Sequence, residues 1–237
     1  MNAAPLVEVT ALGVRVEGAS LLENLSLQVA AQSIHVIVGP NGAGKSTFVS
    51  ALLGQRAFTG HIRMHWRGAG RIGYVPQVFH ADRTLPVTVA EFLALQRQRW
   101  PVCFGVRAAT RRSVDALLER VGLGGMGERR LGVLSGGELR RALIANAIDP
   151  APELLLCDEP ASGLDPAAVA ALDRLLLELR DTAGTTIVLV SHDVQQVHRL
   201  ADRVTLLDRT VRQTGSAAEV FAAAGLAAFP AINVEER

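Results

Sequence analysis

The sequence has almost no lysine. Of its 24 basic residues, 23 are arginines, and the single lysine is Lys45. Arginine and lysine are not interchangeable where a loop wraps closely around a phosphate, because a compact ammonium fits where a planar guanidinium does not. Lys45 is therefore the first candidate functional residue.

The chain also has only two cysteines and a net charge close to zero. Cys103 and Cys157 are too few and too far apart for a zinc-ligand pattern, and we expect both to be unpaired thiols. The formal net charge of +1 gives no general reason to expect a nucleic-acid partner. A local basic stretch, which we interpret as a solvated face, contains Arg97, Arg99, Arg107, Arg111 and Arg112.

Long apolar runs are absent as well. No stretch approaches the roughly 18 consecutive apolar residues that a membrane span needs. The N-terminus has no basic region followed by an apolar run and a cleavage site. We therefore expect a soluble, cytosolic chain. Its 237 residues, 49% of them hydrophobic, suffice for the core of one α/β domain covering 1–237.

Lys45 stands in a glycine-rich run with the spacing of a phosphate-binding P-loop. The run consists of Gly39, Pro40, Asn41, Gly42, Ala43, Gly44, Lys45, Ser46 and Thr47. In this pattern backbone amides turn inward, the lysine reaches the outer phosphates and the next hydroxyl holds Mg2+. A predicted apolar strand at 33–38 precedes the loop, and a predicted helix at 46–53, ended by Gly54, directs its dipole at the phosphates. The alternative is a turn that only joins a strand to a helix.

Two adjacent acids end another apolar strand. Asp158 and Glu159 follow the run 154–157, so both carboxylates should reach the carboxyl edge of the sheet, where ligands bind. There Asp158 can hold Mg2+, and Glu159 can polarise the water that attacks the terminal phosphate. The alternative is that these acids simply terminate the strand.

The first part of the chain has the pattern of antiparallel strands. Apolar stretches at 6–9 and 22–29 predict two of them, and the stretch 60–66 predicts another. His61 and His65 would share one face of that strand. Both a metal site and the polar outer face of a half-buried strand fit these histidines. The polar face is favoured because no third ligand is evident nearby.

Helices and strands alternate in the rest of the chain. Helical periodicity from 88 to about 121 predicts a helical insert. Its apolar positions are Val89, Phe92, Leu93, Leu95, Val114, Leu117, Leu118 and Val121. Strands at 153–157 and 185–190 flank a helix at 167–180, which predicts a parallel, right-handed crossover. A further strand is predicted at 204–207.

The run from Leu134 to Glu138 has two compatible interpretations. Ser135 and Glu138 form a capping box for a helix predicted at 139–148, which is a structural role. The pair Gly136 and Gly137 needs another reason, because helix propensity disfavours glycine there. Glycines leave the amides bare for an anion, and the helix dipole adds attraction. A second phosphate-binding surface is implied.

This run, between a P-loop and the Asp-Glu pair, resembles the signature of the ATP-binding-cassette (ABC) family. Gln77 then matches the family's glutamine loop, the segment 162–165 its D-loop, and His192 its switch histidine. The resemblance covers nearly the whole chain. It implies one α/β domain of the P-loop NTPase type, with a mainly parallel core sheet, an antiparallel β subdomain and a helical insert at approximately 86–148.

The resemblance also implies roles for residues and partners. Two copies would pair head to tail, each ATP lying between one P-loop and the partner's Ser135, Gly136 and Gly137. Gln77 would sense Mg2+ and the γ-phosphate, and His192 would hold that phosphate and position the attacking water. Lys45 and Glu159 complete the implied catalytic set. The implied nucleotide contacts outside the P-loop are Val16, Ser135, Gly136, Gly137 and Asp165, and the implied Mg2+ ligands are Ser46, Gln77 and Asp158.

A transporter role requires further proteins. The resemblance implies a separate membrane permease, contacted between Gln77 and the helical insert, and indirectly an extracytoplasmic substrate-binding protein. The chain would then lie at the cytoplasmic face of the inner (plasma) membrane and bind no nucleic acid. The alternatives are the ATPase of a different transporter, a non-transport cassette ATPase, and a regulatory ATP-binding module without turnover.

The stretch 71–77, followed by 84–89, is similar to ATP-binding subunits of bacterial zinc, manganese and iron importers, most closely the zinc type. Val16 departs from the family pattern, since an aromatic side chain normally stacks on adenine there, and we expect weak base recognition. Asn146 and Ala161 replace a common arginine and a common threonine. The alanine-rich, low-complexity tail at 217–228 lacks the histidines found in some zinc-type members.

Overall fold

The computed structural model describes residues 4–79 and 86–224. Its strands are β1 (Pro5–Val16), β2 (Ala19–Ala30), β3 (Ile34–Val38), β4 (Thr59–Met64), β5 (Ile72–Val75), β6 (Leu154–Asp158), β7 (Thr186–Val190), β8 (Arg203–Asp208) and β9 (Thr210–Gly215). Its α-helices are α1 (Lys45–Leu52), α2 (Val89–Ala94), α3 (Ala108–Arg120), α4 (Gly136–Ile148), α5 (Pro166–Ala183), α6 (Val194–Leu200) and α7 (Ala217–Ala224). Residues 84 and 85 of the importer-like stretch and 225–228 of the alanine-rich tail lie outside the described residues.

A mixed six-stranded sheet forms the centre of the fold, with the order β5-β6-β7-β3-β8-β9. All neighbouring pairs are parallel except β8 with β9. Every residue of β3, β6 and β7 is buried, because helices cover one face and a second sheet covers the other. The predicted strand-helix-strand crossover is confirmed, since α5 joins the adjacent parallel strands β6 and β7.

The second sheet is antiparallel, with the order β2-β1-β4. This confirms the predicted antiparallel strands of the first part of the chain. His61 and Arg63 are exposed on β4, while Ile62 and Met64, which alternate with them, are half-buried, as alternation along a strand requires. The described residues contain no group of three or more His, Cys, Asp or Glu side chains that could hold a metal ion.

Two hydrophobic layers enclose the central sheet. One layer joins the sheet to α2–α6, and the other joins it to α1 and to the antiparallel sheet, where Phe48 is fully buried. Full burial of such a side chain contributes about 1.5 to 3 kcal/mol. Cys157 is buried in the first layer and Cys103 is exposed, and both are free thiols, as predicted. Among the described residues, no helix combines the length and the apolar character that crossing a bilayer requires.

The helical insert differs from the sequence prediction at two neighbouring positions. Leu95, predicted to be apolar core, has 57% of its surface exposed. Arg97, predicted to lie on a solvated face, has a side chain only 6% exposed, with Nε 2.6 Å from Asp149 Oδ2. The reason is that α2 ends at Ala94, so the helical period no longer governs the direction of the following side chains.

Two other elements extend beyond their predicted limits. The helix after Ser135, predicted from Leu139, begins at Gly136, so both glycines belong to its first turn. The alanine-rich tail forms α7 as far as Ala224. Alanine has the highest helix propensity, so composition alone accounts for a helix there.

His35 is a buried titratable group in β3. Its Nε2 lies 2.8 Å from Thr205 Oγ1, and burial, together with the charge of Arg203, lowers the pKa of His35 to about 4. The unfolded chain binds a proton below a pKa of about 6.5, whereas the folded chain does not until about pH 4. The contribution of His35 to the free energy of unfolding is therefore fully present above pH 6.5 and is lost as the pH falls towards 4.

We expect wild type to lose about 2 kcal/mol of unfolding free energy between pH 7 and pH 5 through His35 alone. The His35→Gln variant should lack this loss, because glutamine does not titrate but still offers a hydrogen bond to Thr205. Urea unfolding at the two pH values measures the difference. The exposed His61→Gln variant is the matched control. Equal pH slopes in wild type and His35→Gln would refute the assignment.

Candidate functional site

Strand order assembles the candidate site. Four adjacent strands, β5, β6, β7 and β3, run parallel, so the segments after them meet at one edge of the sheet. In that order they carry Gln77, the pair Asp158 and Glu159, His192, and the P-loop. Residues separated by more than a hundred positions in sequence are thereby neighbours.

The P-loop is closely packed at both ends. Gly39 has φ 153°, and a Cβ there would lie 2.1 Å from the Leu207 carbonyl oxygen. Gly44 has φ 94°, and its Cβ would lie 2.5 Å from Leu22 Cδ2. Only glycine fits these two positions, because a side chain would be strained by φ and would also collide. Tight packing therefore fixes the backbone of the loop, whose amides the P-loop pattern assigns to phosphate binding.

Lys45 folds back over the P-loop. Its Nζ donates hydrogen bonds to the carbonyl oxygens of Gly39 at 2.8 Å and Pro40 at 2.9 Å. Burial lowers the pKa of Lys45, while the negative charges of Glu159 and Asp158 oppose this effect. The site therefore holds one buried ammonium between the loop carbonyls and two carboxylates.

Asp158 is a buried carboxylate with an unused oxygen. Its Oδ1 is buried without a hydrogen-bond partner among the described residues, although the side chain is hydrogen-bonded to Ser46. Burial holds the pKa of Asp158 above its usual value. The bond with Ser46 and the charges of Lys45 and Arg140 act in the opposite direction and reduce this rise. A buried oxygen without a partner is unusual, and a hard cation such as Mg2+ would satisfy it. The hydroxyl oxygen of Ser46 and the amide oxygen of Gln77 are further oxygen ligands of the kind that Mg2+ prefers.

Glu159 is held between two other predicted catalytic side chains. Its Oε2 accepts a hydrogen bond from Gln77 Nε2 at 3.1 Å and lies 3.6 Å from His192 Nδ1. Glu159 has φ 48°, a conformation that is uncommon outside glycine and often found at functional sites. A cavity of about 230 Å³ lies beside it, lined by Glu159, Ser162, Gly163, His192 and neighbouring residues.

A buried polar network supports the turn that carries His192. Ser191 Oγ donates to Gln196 Oε1 at 2.9 Å, and Gln196 Nε2 donates to Asp173 Oδ1 at 2.8 Å. Arg199 donates to the second oxygen of Asp173. The network joins α5 and α6 behind the site. Sequence reasoning missed Asp173 and Gln196; the only signal was a carboxylate within an otherwise apolar helix face.

The signature residues stand apart from the P-loop. Ser135 and Glu138 form the predicted capping box, with the Ser135 amide donating to Glu138 Oε2 at 2.7 Å and the Glu138 amide to Ser135 Oγ at 3.3 Å. A Cβ at Gly136 would meet no atom within 4 Å. Intramolecular packing therefore does not explain this glycine. No hydrogen bond or ion pair joins residues 135–137 to the P-loop among the residues described.

Two further predicted nucleotide contacts occupy ordinary structural positions. Asp165 is the N-cap of α5, and its Oδ1 accepts a hydrogen bond from the Ala168 amide at 2.9 Å. Val16 ends β1, paired with Ala19 and half-buried. Their predicted contacts with nucleotide remain predictions.

Comparison with known proteins agrees with the sequence and the fold. Residues 22–162 match the ABC transporter family model. A zinc import ATP-binding protein, ZnuC, of Cereibacter sphaeroides is 46% identical over 84% of this chain and 78% of its own length. The ZnuC of Pseudomonas aeruginosa is 39% identical over 91% of this chain and 76% of its own length.

Solved structures agree as well. The ATP-binding subunit of an ABC transporter superposes with a TM-score of 0.77 at 25% identity, covering 91% of each chain. A nucleotide-free ATP-binding cassette at 19% identity shares the fold, with a TM-score of 0.76 over 93% of this chain and 96% of its own. The P-loop NTPase fold predicted from the sequence is thereby confirmed, and the chain belongs to the ABC transporter family.

Proposed function

We propose that the chain is the ATP-hydrolysing subunit of a zinc importer and energises transport through a separate membrane permease. The observation that carries the proposal is the convergence of Lys45, Asp158, Glu159, Gln77 and His192 at one sheet edge beside the P-loop. The ZnuC relatives, at 39% to 46% identity, support zinc as the transported ion.

The P-loop would bind the phosphates of ATP. Its amides and the N-terminus of α1 supply fixed partial positive charge, and Lys45 adds a full charge. Ser46, Asp158 and Gln77 would hold Mg2+, which neutralises phosphate charge. Lys45 would exchange its bonds with Gly39 and Pro40 for bonds with the phosphates, because a phosphate oxygen is the stronger acceptor.

Glu159 would act as the general base. Its carboxylate takes a proton from a water molecule as that water attacks the γ-phosphorus, and the bond from the γ-phosphorus to the β-bridging oxygen breaks to leave ADP. The hydrogen bond from Gln77 orients the carboxylate. His192, whose Nδ1 lies 3.6 Å from Glu159 Oε2, would bind the γ-phosphate and position the same water.

A second copy of the chain would complete each site. Residues 135–137 have no bond to their own P-loop, and Gly136 leaves room for a ligand from outside the chain. The helix N-terminus at Ser135 offers the partner's nucleotide further amides and dipole charge. ATP would therefore favour a closed dimer, and hydrolysis would release it.

The permease would dock between Gln77 and the helical insert. Apolar side chains are exposed there on both sides, with Val78 64% and Phe104 73% exposed and Phe79 and Trp100 less so. Exposed apolar side chains of this size are typical of interaction surfaces. Docking would hold the chain at the cytoplasmic face of the inner membrane, with an extracytoplasmic zinc-binding protein acting through the permease.

Zinc uptake tests this proposal. A strain that lacks the chain and other zinc importers should take up less radioactive zinc at low external zinc. Wild type should restore uptake, and the Glu159→Gln variant should not. Normal zinc uptake without the chain, with loss of manganese or iron uptake instead, would overturn zinc as the substrate.

A further inference from the structure

Arg140 connects the signature helix, α4, which begins at Gly136, to the segment that contains Gln77. It lies on α4, five positions after Ser135, and its guanidinium donates to the carbonyl oxygens of Pro76 and Gln77. The guanidinium uses two separate nitrogens in a fixed plane, Nη1 for Pro76 and Nη2 for Gln77, whereas a lysine would have to reach both carbonyl groups with a single nitrogen. The sequence alone gave no reason to select Arg140 from the 23 arginines.

A second contact fixes the same two elements. A Cβ at Gly73, on β5, would lie 2.2 Å from the carbonyl oxygen of Ala147, on α4, so the strand and helix backbones are almost in contact. Arg140 and Ala147 are seven positions apart, which is about 10 Å along the helix. The stretch from Gly73 to Gln77 spans about 13 Å of extended chain. The two contacts therefore hold α4 along β5 at both ends.

The side chain of Gln77 extends the connection between α4 and β5 to the candidate functional site. Gln77, gripped through its carbonyl by Arg140, donates through its side chain to Glu159. The half-buried Arg140 is also close enough to affect the carboxylates, since its charge opposes the rise in the pKa of Asp158 that burial causes. A continuous path thus runs from the signature helix through Arg140 and Gln77 to Glu159.

We propose that Arg140 is a positioning residue that fixes Gln77 against Glu159 according to the position of the signature helix. The proposal rests on the proposed function, in which Glu159 is the base and residues 135–137 face the partner's nucleotide. Engagement of the signature helix by that nucleotide would align the carboxylate of the same chain. Hydrolysis at one site would then depend on occupancy of the other.

The Arg140→Lys variant separates positioning from charge. It keeps the positive charge near Asp158 but loses the rigid fork that places one nitrogen on each carbonyl group. We expect kcat for Mg-ATP hydrolysis to fall on the order of 10- to 100-fold, the size of effect that a misplacement of about 1 Å produces. KM for ATP should change by less than about twofold, since the P-loop contacts remain. The exposed Arg112→Lys on α3 is the matched control, with unchanged kinetics.

A double-mutant cycle identifies the path. If Arg140 acts through Gln77, the Arg140→Lys and Gln77→Ala losses in kcat should not multiply, and the double variant should resemble the Gln77→Ala variant. Wild-type kcat in Arg140→Lys would overturn the proposal, because charge alone would suffice. Multiplying losses would overturn it too, as would a fall in ATP affinity or thermal stability that accounts for the loss.

Measuring Glu159→Gln in the same assay distinguishes failure of the proposed function, in which Glu159 is the base, from failure of the positioning role of Arg140. If that variant hydrolyses ATP at the wild-type rate, the proposed role of Glu159 fails. The coupling between Arg140 and Gln77 is still measured by the cycle in that case. If Glu159→Gln is inactive and the Arg140 and Gln77 losses multiply, only the positioning role fails.

Discussion

Replacing Glu159 with glutamine should lower ATP hydrolysis on the order of 100-fold or more, the usual contribution of a positioned general base. Glutamine has nearly the same shape, and its amide oxygen can still accept the hydrogen bond from Gln77. It cannot take a proton from water. ATP affinity should therefore stay near the wild-type value, because the phosphates are bound elsewhere. Phosphate release at saturating Mg-ATP, together with an equilibrium ATP titration, measures both quantities.

Glu178→Gln is the matched control for this prediction. Glu178 lies on the exposed side of α5, where it pairs with Arg120 3.0 Å away, far from the P-loop along the chain. Its loss should leave hydrolysis unchanged, since exposed ion pairs contribute little. Hydrolysis by Glu159→Gln at a rate close to that of this control would show that another group accepts the proton.

Replacing Lys45 with alanine should weaken nucleotide binding on the order of 10- to 100-fold, because hydrogen bonds to a charged group contribute about 1.5 to 3 kcal/mol. Hydrolysis should be lost with binding. Lys45→Arg should fail as well, since a planar guanidinium does not replace a compact ammonium where a loop wraps closely around a phosphate. Titration of the two variants with ATP decides this.

Unfolding measurements complete the Lys45 prediction. The ammonium is buried, so removing it relieves a desolvation cost while leaving two carbonyl groups unbonded. We expect the two effects to offset each other and the thermal midpoint to change little. If Lys45→Arg binds ATP as wild type does, the reason given for a single lysine in this chain is wrong.

The local motifs of the site could be predicted from the sequence, but their arrangement could not. The P-loop and the pair Asp158 and Glu159 are recognisable because each lies within a few consecutive residues of characteristic type. β3 pairs with β7, whose residues lie 153 positions away, and β5 pairs with β6, whose residues lie 82 positions away. The apolar pattern of a buried strand does not specify its neighbour. The 3.1 Å bond from Gln77 to Glu159 follows only from that order.

The sequence also could not predict the direction of side chains that lie beyond the end of a helix. The helical period predicts an apolar position for Leu95, and the basic stretch predicts a solvated face for Arg97. The structure exchanges the two roles because α2 ends at Ala94. Arg140 resembles an ordinary polar position of a surface helix, and Asp173 differs from one only as a carboxylate on an apolar helix face. Their importance depends on distant partners, Gln196 and the carbonyl groups of Pro76 and Gln77, which no local pattern indicates.

The mass of the Glu159→Gln protein in solution, with and without saturating Mg-ATP, tests the central claim that each nucleotide site is shared by two copies of the chain. We predict a monomer without nucleotide and an ATP-loaded dimer with it, measured by light scattering after size-exclusion chromatography. Adding Ser135→Arg to this variant should abolish the dimer while leaving ATP binding to the monomer intact. A Glu159→Gln protein that binds Mg-ATP at saturation and remains a monomer would contradict the account.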